Sequence, residues 1–359
     1  MDSFRHREDF VQWAFEHEMN FDYFLSRLYS EDVSFIDIVM PLLKFLVSRV
    51  TDNPDVFYGV LGFLFGYFFS RNIFFLINFY NVKLSAYSIL FIFMFAFVAP
   101  PWEINSFRFW FATHIFLYGC FKLFSGKSKM SYLYILITPF IHFGYIFAII
   151  LFAIYKLIGN RIKLYFILFI ASIFLNEINL QSIKALIPET SIGALDKKTS
   201  GYTSEGYIEE RAETASQLNW YVGLKSKPVK YVTMLVVIFI YFKYRKRLIE
   251  SELLSIFCIA LFIFSLSYLL MNSVPVFGRY NRLGQLFLYG FLFLFFIKYK
   301  DDNITWYKNI FPFHIAAAAL FILVDIRSSF DTMTIDTIIS NPLLSAFYRS
   351  HEPIINFIK

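Results

Sequence analysis

Long apolar runs separated by short polar turns dominate the chain and predict membrane-spanning segments. Eight runs are long enough to cross, or nearly cross, a hydrocarbon core of roughly 30 Å. Nothing in them alternates polar and apolar positions as a barrel strand would, so each run is predicted to be a helix that satisfies its own backbone in lipid. The predicted spans are 56–79, 84–99, 107–124, 164–180, 231–244, 253–271, 283–297 and 310–324.

The first fifty residues have a mixed character. Residues 1–24 are charged from the start and contain no apolar core, so they are not a signal peptide. Residues 33–50 carry Asp37, Pro41 and Lys44 among apolar positions. This pattern predicts an interfacial or partly inserted helix.

A broken helical pair is predicted in the middle of the first half. Residues 131–155 are too long for one straight span and are interrupted by Pro139, His142 and Gly144. The strongest basic cluster, 243–247, is placed in the cytoplasm because basic loops are retained there. Alternation from this cluster also puts the basic loops 156–163 and 298–308 inside. The basic turn 121–129 falls inside only if residues 131–155 enter and return as two short helices meeting at His142. We therefore expect an all-α, polytopic transmembrane helix bundle of about 9–11 membrane helices, including this re-entrant pair.

The chain is predicted to be a single integral membrane domain, 1–359, because no internal repeat or low-complexity tract divides it. Three segments fall on the external side of the predicted topology: 1–32, 181–230 and 325–359. The loop 181–230 has too little apolar content for a core of its own and is interpreted as a lid.

Composition supports the membrane class and excludes several others. The chain is 58% hydrophobic and 17% charged. The net charge of +6 does not imply nucleic-acid binding, because the basic residues are those expected in cytoplasmic loops. Cys120 and Cys258 lie in apolar runs and are interpreted as buried free thiols. The sequence has no phosphate-binding loop, no Asp-x-Asp pair, no HExxH and no GxSxG, so we expect no cofactor and no bound metal.

Two arginines at a predicted helix start are the best candidates for binding an anion. Arg279 and Arg282 are three residues apart and would share one helical face. Two guanidinium groups presented together suit a phosphate or a diphosphate, because each donates bidentately and keeps its charge. The alternative is that each arginine is an interfacial anchor that extends to water.

A second group of candidates surrounds residues 100–119. Arg108 begins a predicted helix on the outer side, and Glu103 precedes it. His114 lies six residues further on, roughly 120° around the helix, so it is predicted to pack between helices. His142 either lines a cavity at the predicted break or packs against its neighbours.

The order of the segments SFRHREDFVQW, NSFRFWFATHIFLYG, YILITPFIHFGYIFAIILFAIYK and GRYNRLGQLFLYG resembles the EpsG-type, Wzy-like polymerases of bacterial surface polysaccharide. The resemblance runs through most of the chain and is weak in the long loop and the tail. Relatives show an Arg, a Gly-Asp step and a downstream aromatic in the first external loop. Arg5, Asp9 and Trp13 fill those places here, and the glycine is missing. Relatives also carry a membrane helix before this loop, so we expect either an upstream start or insertion by residues 33–50.

The resemblance implies a C-type glycosyltransferase-like fold and an activity. The implied enzyme joins undecaprenyl-diphosphate-linked oligosaccharide repeat units on the outer side of the bacterial inner membrane, without a nucleotide sugar or a metal. Its implied partners are the lipid-linked oligosaccharide and membrane lipids, with a flippase and a chain-length regulator as candidates. The candidate catalytic residues are Glu103, His142 and Asp9, and the candidate diphosphate-binding residues are Arg279, Arg282, Arg108 and Arg5.

Two other classes remain open. A lipid-linked oligosaccharide flippase should carry charges along a central cavity, whereas the mid-helix positions here are nearly all apolar. A membrane O-acyltransferase should carry a paired Arg/His site reached by an inner acyl donor.

Overall fold

The computed structural model describes most of the chain outside the long loop and the tail. The described residues are 2–16, 20–28, 37–80, 83–126, 129–175, 206, 213, 219–271, 274–302, 304–331, 333–335 and 352–358, without the side chains of 2–5, 105 and 223. Their regular elements are helices, and the strand-type pairing recorded among them is an isolated bridge between Thr334 and Pro353. The predicted all-α fold is confirmed.

The chain forms two compact units. The first comprises Met1–Phe75, Ala99–Ile149 and Asp325–Lys359, and the second comprises Leu76–Val98 and Ile150–Val324. The prediction of one membrane domain with external segments at 1–32, 181–230 and 325–359 stays a prediction, and most of 181–230 lies outside the described residues.

Short helices and one long helix build the first unit. In chain order they are α1 (Asp2–Phe15), α2 (Phe21–Leu28), α3 (Val39–Ser48), α4 (Pro54–Ile77), a 3₁₀ helix (Pro101–Ser106), α6 (Phe107–Phe124), α7 (Ser131–Leu136), α8 (Thr138–Ile141) and the start of α9 (Tyr145–Ile158). A short C-terminal helix, α16 (Ile355–Ile358), also belongs to this unit.

Longer helices build the second unit. They are α5 (Ala86–Val98), the remainder of α9, α10 (Ile162–Phe174), α11 (Trp220–Leu224), α12 (Ser226–Ile249), α13 (Leu254–Met271), α14 (Phe277–Lys298) and most of α15 (Thr305–Ser329).

Five described segments are long and apolar enough to cross a bilayer. They are Pro54–Ile77, Ala86–Ile104, Leu254–Met271, Phe277–Lys298 and Thr305–Ser329. Four shorter apolar segments accompany them, namely Val39–Ser48, Ser131–Ile141, Tyr145–Ile158 and Ile162–Phe174. The polytopic membrane class is therefore confirmed, whereas the total of about 9–11 membrane helices stays a prediction.

The predicted break in the segment 131–155 is present. The helical path ends at Ile141, and His142 has an extended backbone with φ −147° and ψ 116°. The chain then turns through Gly144 and becomes helical again at Tyr145. The helix break at His142 is therefore confirmed, whereas the return of the chain to the same side of the membrane stays a prediction.

Close backbone contact holds the centre of the second unit. Gly284 on α14 faces Phe264 on α13, and a Cβ atom added to Gly284 would lie 2.6 Å from the Phe264 Cα. Only a residue without a side chain allows this approach, which is how membrane helices gain packing energy when lipid supplies no hydrophobic driving force. Nearly every residue of α14 beyond Asn281 is buried.

Glu252 accepts two side-chain hydrogen bonds within the second unit. Glu252 lies between α12 and α13, and Lys298 Nζ donates to its Oε2 over 2.7 Å, while the Tyr80 hydroxyl donates to its Oε1. Partial burial of Glu252 raises its pKa, but these two hydrogen bonds, a backbone hydrogen bond and the positive charge of Lys298 together outweigh burial and lower the pKa of Glu252.

Candidate functional site

The first unit contains a cavity of about 320 Å³ near its N-terminal helices. Side chains of α1, α2, α3 and the first turn of α6 line it together with the residue preceding α3. The lining residues are His6, Asp9, Gln12, Trp13, Arg27, Asp37, Met40, Pro41, Lys44 and Arg108.

A small aromatic core positions the helices around this cavity. Trp13, Phe24, Leu28 and Phe45 are buried together, one or two from each of α1, α2 and α3. The Phe24 and Phe45 rings stack with centroids 4.7 Å apart. Because Trp13 is fixed in this core, Asp9, one helical turn before it, is turned toward the cavity.

A buried lysine lies on one side of the cavity. The Lys44 side chain is 7% exposed, and its Nζ donates to Asp9 Oδ2 over 2.8 Å. A buried ammonium needs such a partner, because desolvation without one is costly. Asp9 is more accessible, with 44% of its side chain exposed.

Asp37 joins three elements on the other side. Its Oδ2 accepts a hydrogen bond from Arg108 Nη1 over 2.8 Å, and its Oδ1 accepts one from the Phe143 backbone N–H over 2.6 Å. The Asp37 side chain is 8% exposed. One carboxylate therefore ties the start of α3, the start of α6 and the break after His142.

The third cation of the cavity is also paired. Arg27 Nη1 lies 2.9 Å from Glu16 Oε2, and its guanidinium carbon lies 5.3 Å from the centre of the Trp13 ring. Lys44 Nζ lies 6.0 Å from the same ring. Each arginine or lysine that lines the cavity thus has a carboxylate partner.

The predicted catalytic candidates fall in different places. Asp9 lines the cavity. Glu103 lies in the 3₁₀ helix and accepts a hydrogen bond from Trp110 Nε1 over 3.0 Å. His142 Nδ1 accepts one from the Gly144 N–H over 3.0 Å, and neither Glu103 nor His142 lines the cavity.

The four arginines predicted to bind the diphosphate also lie in different parts of the chain. Arg108 lines the cavity, and Arg5 lies in α1 with its side chain outside the described residues. Arg279 and Arg282 lie in the second unit, in a helix that begins at Phe277, close to the predicted start. Arg282 donates through Nε and Nη2 to the Val98 carbonyl at the end of α5, over 2.8 and 2.5 Å.

His114 packs between helices, as predicted. Its side chain is fully buried, with the Phe65 and Phe69 rings edge-on at 5.2 and 5.3 Å between centroids. His114 does not line the cavity.

Sequence reasoning missed three charged residues of the cavity, Asp37, Lys44 and Arg27, and it also missed Gln12. The signal for two of them was present, because Asp37 and Lys44 interrupt the apolar segment 33–50. Among the described residues, no three His, Cys, Asp or Glu side chains come together in the manner of metal ligands.

The fold and the cavity define a polytopic all-α membrane protein with an ion-paired polar site at its N-terminal helices. A family model described as the EpsG family matches residues 13–335, and the chain therefore belongs to the EpsG family. This family is associated with glycosyltransferase-like polymerases, so the chain is a multi-pass membrane protein of polysaccharide biosynthesis. No curated protein and no solved structure matches the sequence.

Proposed function

We propose that this protein polymerises undecaprenyl-diphosphate-linked oligosaccharide repeat units into bacterial surface polysaccharide, on the outer side of the inner membrane. The observation that carries the proposal is the ion-paired cavity in a member of the EpsG family. Charged groups among apolar helices are expensive and mark functional sites in membrane proteins. This cavity holds two of the seven candidate residues, Asp9 and Arg108.

The proposed reaction is a glycosyl transfer. A hydroxyl oxygen of the acceptor attacks the anomeric carbon of the donor chain, and the bond from that carbon to the diphosphate oxygen breaks. The lipid diphosphate leaves with the electron pair, and the hydroxyl proton passes to a general base. Arginines stabilise the charge that develops on the leaving group, so the proposed mechanism needs no metal and no cofactor.

Asp9 is the favoured base among the three candidates. Its Oδ2 is held by Lys44, and within the described part of the chain its Oδ1 accepts no hydrogen bond. Glu103 and His142 are engaged by Trp110 and by the Gly144 backbone. For the arginines, the proposal keeps Arg279, Arg282, Arg108 and Arg5 as the set from which the diphosphate ligands come, with Arg108 serving either phosphate or sugar.

The experiment that tests the function uses membranes supplied with labelled lipid-linked repeat units. Wild-type protein should convert them into a ladder of longer glycans on undecaprenyl diphosphate. Asp9→Asn should abolish or shorten the ladder at equal protein abundance. Asp331→Asn is the matched control, because Asp331 forms an exposed pair with Arg327 away from the cavity lining. Translocation of the lipid without lengthening would indicate a flippase, and transfer of an acyl group would indicate an acyltransferase.

His142 tests the role of the helix break. His142→Gln keeps a polar group at the break and should preserve protein abundance while shortening the ladder, if His142 serves the reaction. Loss of folded protein at normal transcript level would instead show that the ring, which packs edge-on against Phe109 with centroids 5.3 Å apart, is needed for packing.

The proposed orientation places the 181–230 loop outside and the basic cluster 243–247 inside. Cysteine labelling in intact spheroplasts tests it: Ser204→Cys should react with an impermeant thiol reagent, and Arg245→Cys should be protected. The reverse pattern would overturn the external location of the site.

A further inference from the structure

Each arginine and lysine among the described residues that line the N-terminal cavity has a carboxylate partner. Lys44 pairs with Asp9, Arg108 pairs with Asp37, and Arg27 pairs with Glu16. A diphosphate entering this cavity would find each of these cations neutralised. It would also meet the half-exposed Asp9 carboxylate, which carries the same sign of charge and repels it.

The hydrogen-bonding groups that remain are of both kinds. Asp9 Oδ1 is an acceptor, and Arg108 uses Nη1 for Asp37 while a guanidinium offers five N–H donors. Gln12 adds an exposed amide, which both donates and accepts. A lining that offers both donors and acceptors matches sugar hydroxyl groups, each of which donates and accepts. A diphosphate only accepts.

The size of the cavity limits what can occupy it. Its volume of about 320 Å³ lies at the lower end of the range for small-molecule sites, about 300–1,000 Å³. It takes about one or two sugar residues and not a whole repeat unit with its lipid.

We infer that this cavity binds an uncharged sugar residue of the lipid-linked oligosaccharide and does not bind its diphosphate. Asp9 and Gln12 contact the sugar hydroxyl groups, and Arg108, held by Asp37, contacts the sugar and not the leaving group. The inference rests on the proposed function for the identity of the oligosaccharide, and it assigns the diphosphate to arginines other than Arg108.

Calorimetric titration of the purified full chain in detergent tests this assignment with two probes. One probe is the free oligosaccharide of one repeat unit, with any acidic sugars carboxyl-reduced, and the other is inorganic diphosphate. Asp9→Asn should weaken oligosaccharide binding roughly ten- to a hundredfold, the effect of losing a hydrogen bond to a charged group. Gln12→Ala should weaken it roughly two- to tenfold, the effect of losing a hydrogen bond between neutral groups. Neither variant should weaken diphosphate binding, and Asp331→Asn should change neither affinity. Gln12 is exposed, so its truncation leaves the fold intact.

Three results would overturn the inference. They are failure of the wild-type protein to bind the oligosaccharide, unchanged oligosaccharide affinity in both variants, and loss of diphosphate binding in Arg108→Ala with oligosaccharide binding retained.

The ladder assay separates the test of the sugar site from the test of the proposed polymerase function. A protein that binds the oligosaccharide through Asp9 but never lengthens glycan would refute the polymerase and leave the sugar site standing, whereas one that lengthens glycan with unchanged affinities in the variants would refute only the sugar site.

Discussion

Removal of the Asp37 carboxylate should expose how much the cavity depends on a single side chain. Asp37→Ala deletes the acceptor of both the Arg108 guanidinium and the Phe143 backbone N–H. Asp37→Asn keeps the Oδ1 acceptor for Phe143 and loses the negative charge that faces Arg108. The two variants therefore separate the charge from the backbone hydrogen bond.

The burial of the partners sets the magnitude. Asp37 is 8% exposed and Arg108 is 30% exposed, so the pair lies between a surface ion pair, worth about 0–1 kcal/mol, and a buried one, whose rupture costs about 3–5 kcal/mol. A hydrogen bond to a charged group contributes about 1.5–3 kcal/mol. We expect Asp37→Asn to lower the free energy of unfolding by about 1.5–3 kcal/mol, and Asp37→Ala by about 3–5 kcal/mol because the Phe143 N–H also loses its acceptor.

The assay is reversible unfolding of the purified protein by a denaturing detergent, arranged as a double-mutant cycle of Asp37→Asn with Arg108→Met. The coupling energy should exceed about 1 kcal/mol, since the two side chains touch. The matched control is Asp331→Asn, whose partner Arg327 is 44% exposed, and it should stay within about 0.5 kcal/mol of wild type. Additivity of the cycle within about 0.5 kcal/mol, or equal costs for the Asn and Ala variants of Asp37, would refute the reasoning.

Four other substitutions have definite expected outcomes. Gly284→Ala should lower the free energy of unfolding by about 1–3 kcal/mol, because the new methyl group meets backbone atoms of α13. Gly66→Ala is the control and should not lower the free energy of unfolding, because nothing lies within 4 Å of the added Cβ. Equal effects at both glycines would contradict the close approach of α13 and α14. Arg282→Ala should lower the yield of folded protein, because the Val98 carbonyl that ends α5 loses its donor. Arg279→Ala should shorten the glycan ladder when equal amounts of protein are compared, and an unchanged ladder would remove Arg279 from the site. The pKa of Glu252 is lower in the folded state than its ordinary value of 4.5, so the ionised carboxylate stabilises the fold above pH 4.5. This stabilisation is lost as the pH falls through the lower folded-state pKa, so the thermal midpoints of wild type and Glu252→Gln should converge on acidification. A difference between the midpoints that widens would show that the pKa is shifted the other way.

Much of the fold follows from local pattern. The apolar run 107–124 and the helix α6 have the same bounds, and the break at His142 lies where proline and glycine interrupt the run. Both features depend on residues close in sequence. Backbone groups in an apolar medium are satisfied within helices, and the break lies between Pro139, in the first turn of α8, and Gly144.

The cavity could not be predicted in the same way. Asp9 and Lys44 are 35 residues apart, and Asp37 and Arg108 are 71 apart. The sequence shows that each charge must find a partner, but the choice of partner depends on how α1, α3 and α6 pack. The partner of Arg282 could not be predicted either. It is the backbone carbonyl of Val98, 184 residues earlier in the chain, and a backbone carbonyl leaves no pattern in the sequence.

The burial of α14 bears on how this protein is made. Of the five segments that are long and apolar enough to span, α14 is the least hydropathic, and it begins with several polar side chains. A segment of this kind gains little by entering lipid alone. Its backbone instead lies directly against α13, the most hydropathic of the five. We therefore expect insertion of α14 to depend on α13 already being in the bilayer or beside the translocon, so that Arg279 and Arg282, in the first two turns of α14, enter together with a helix that α14 packs against.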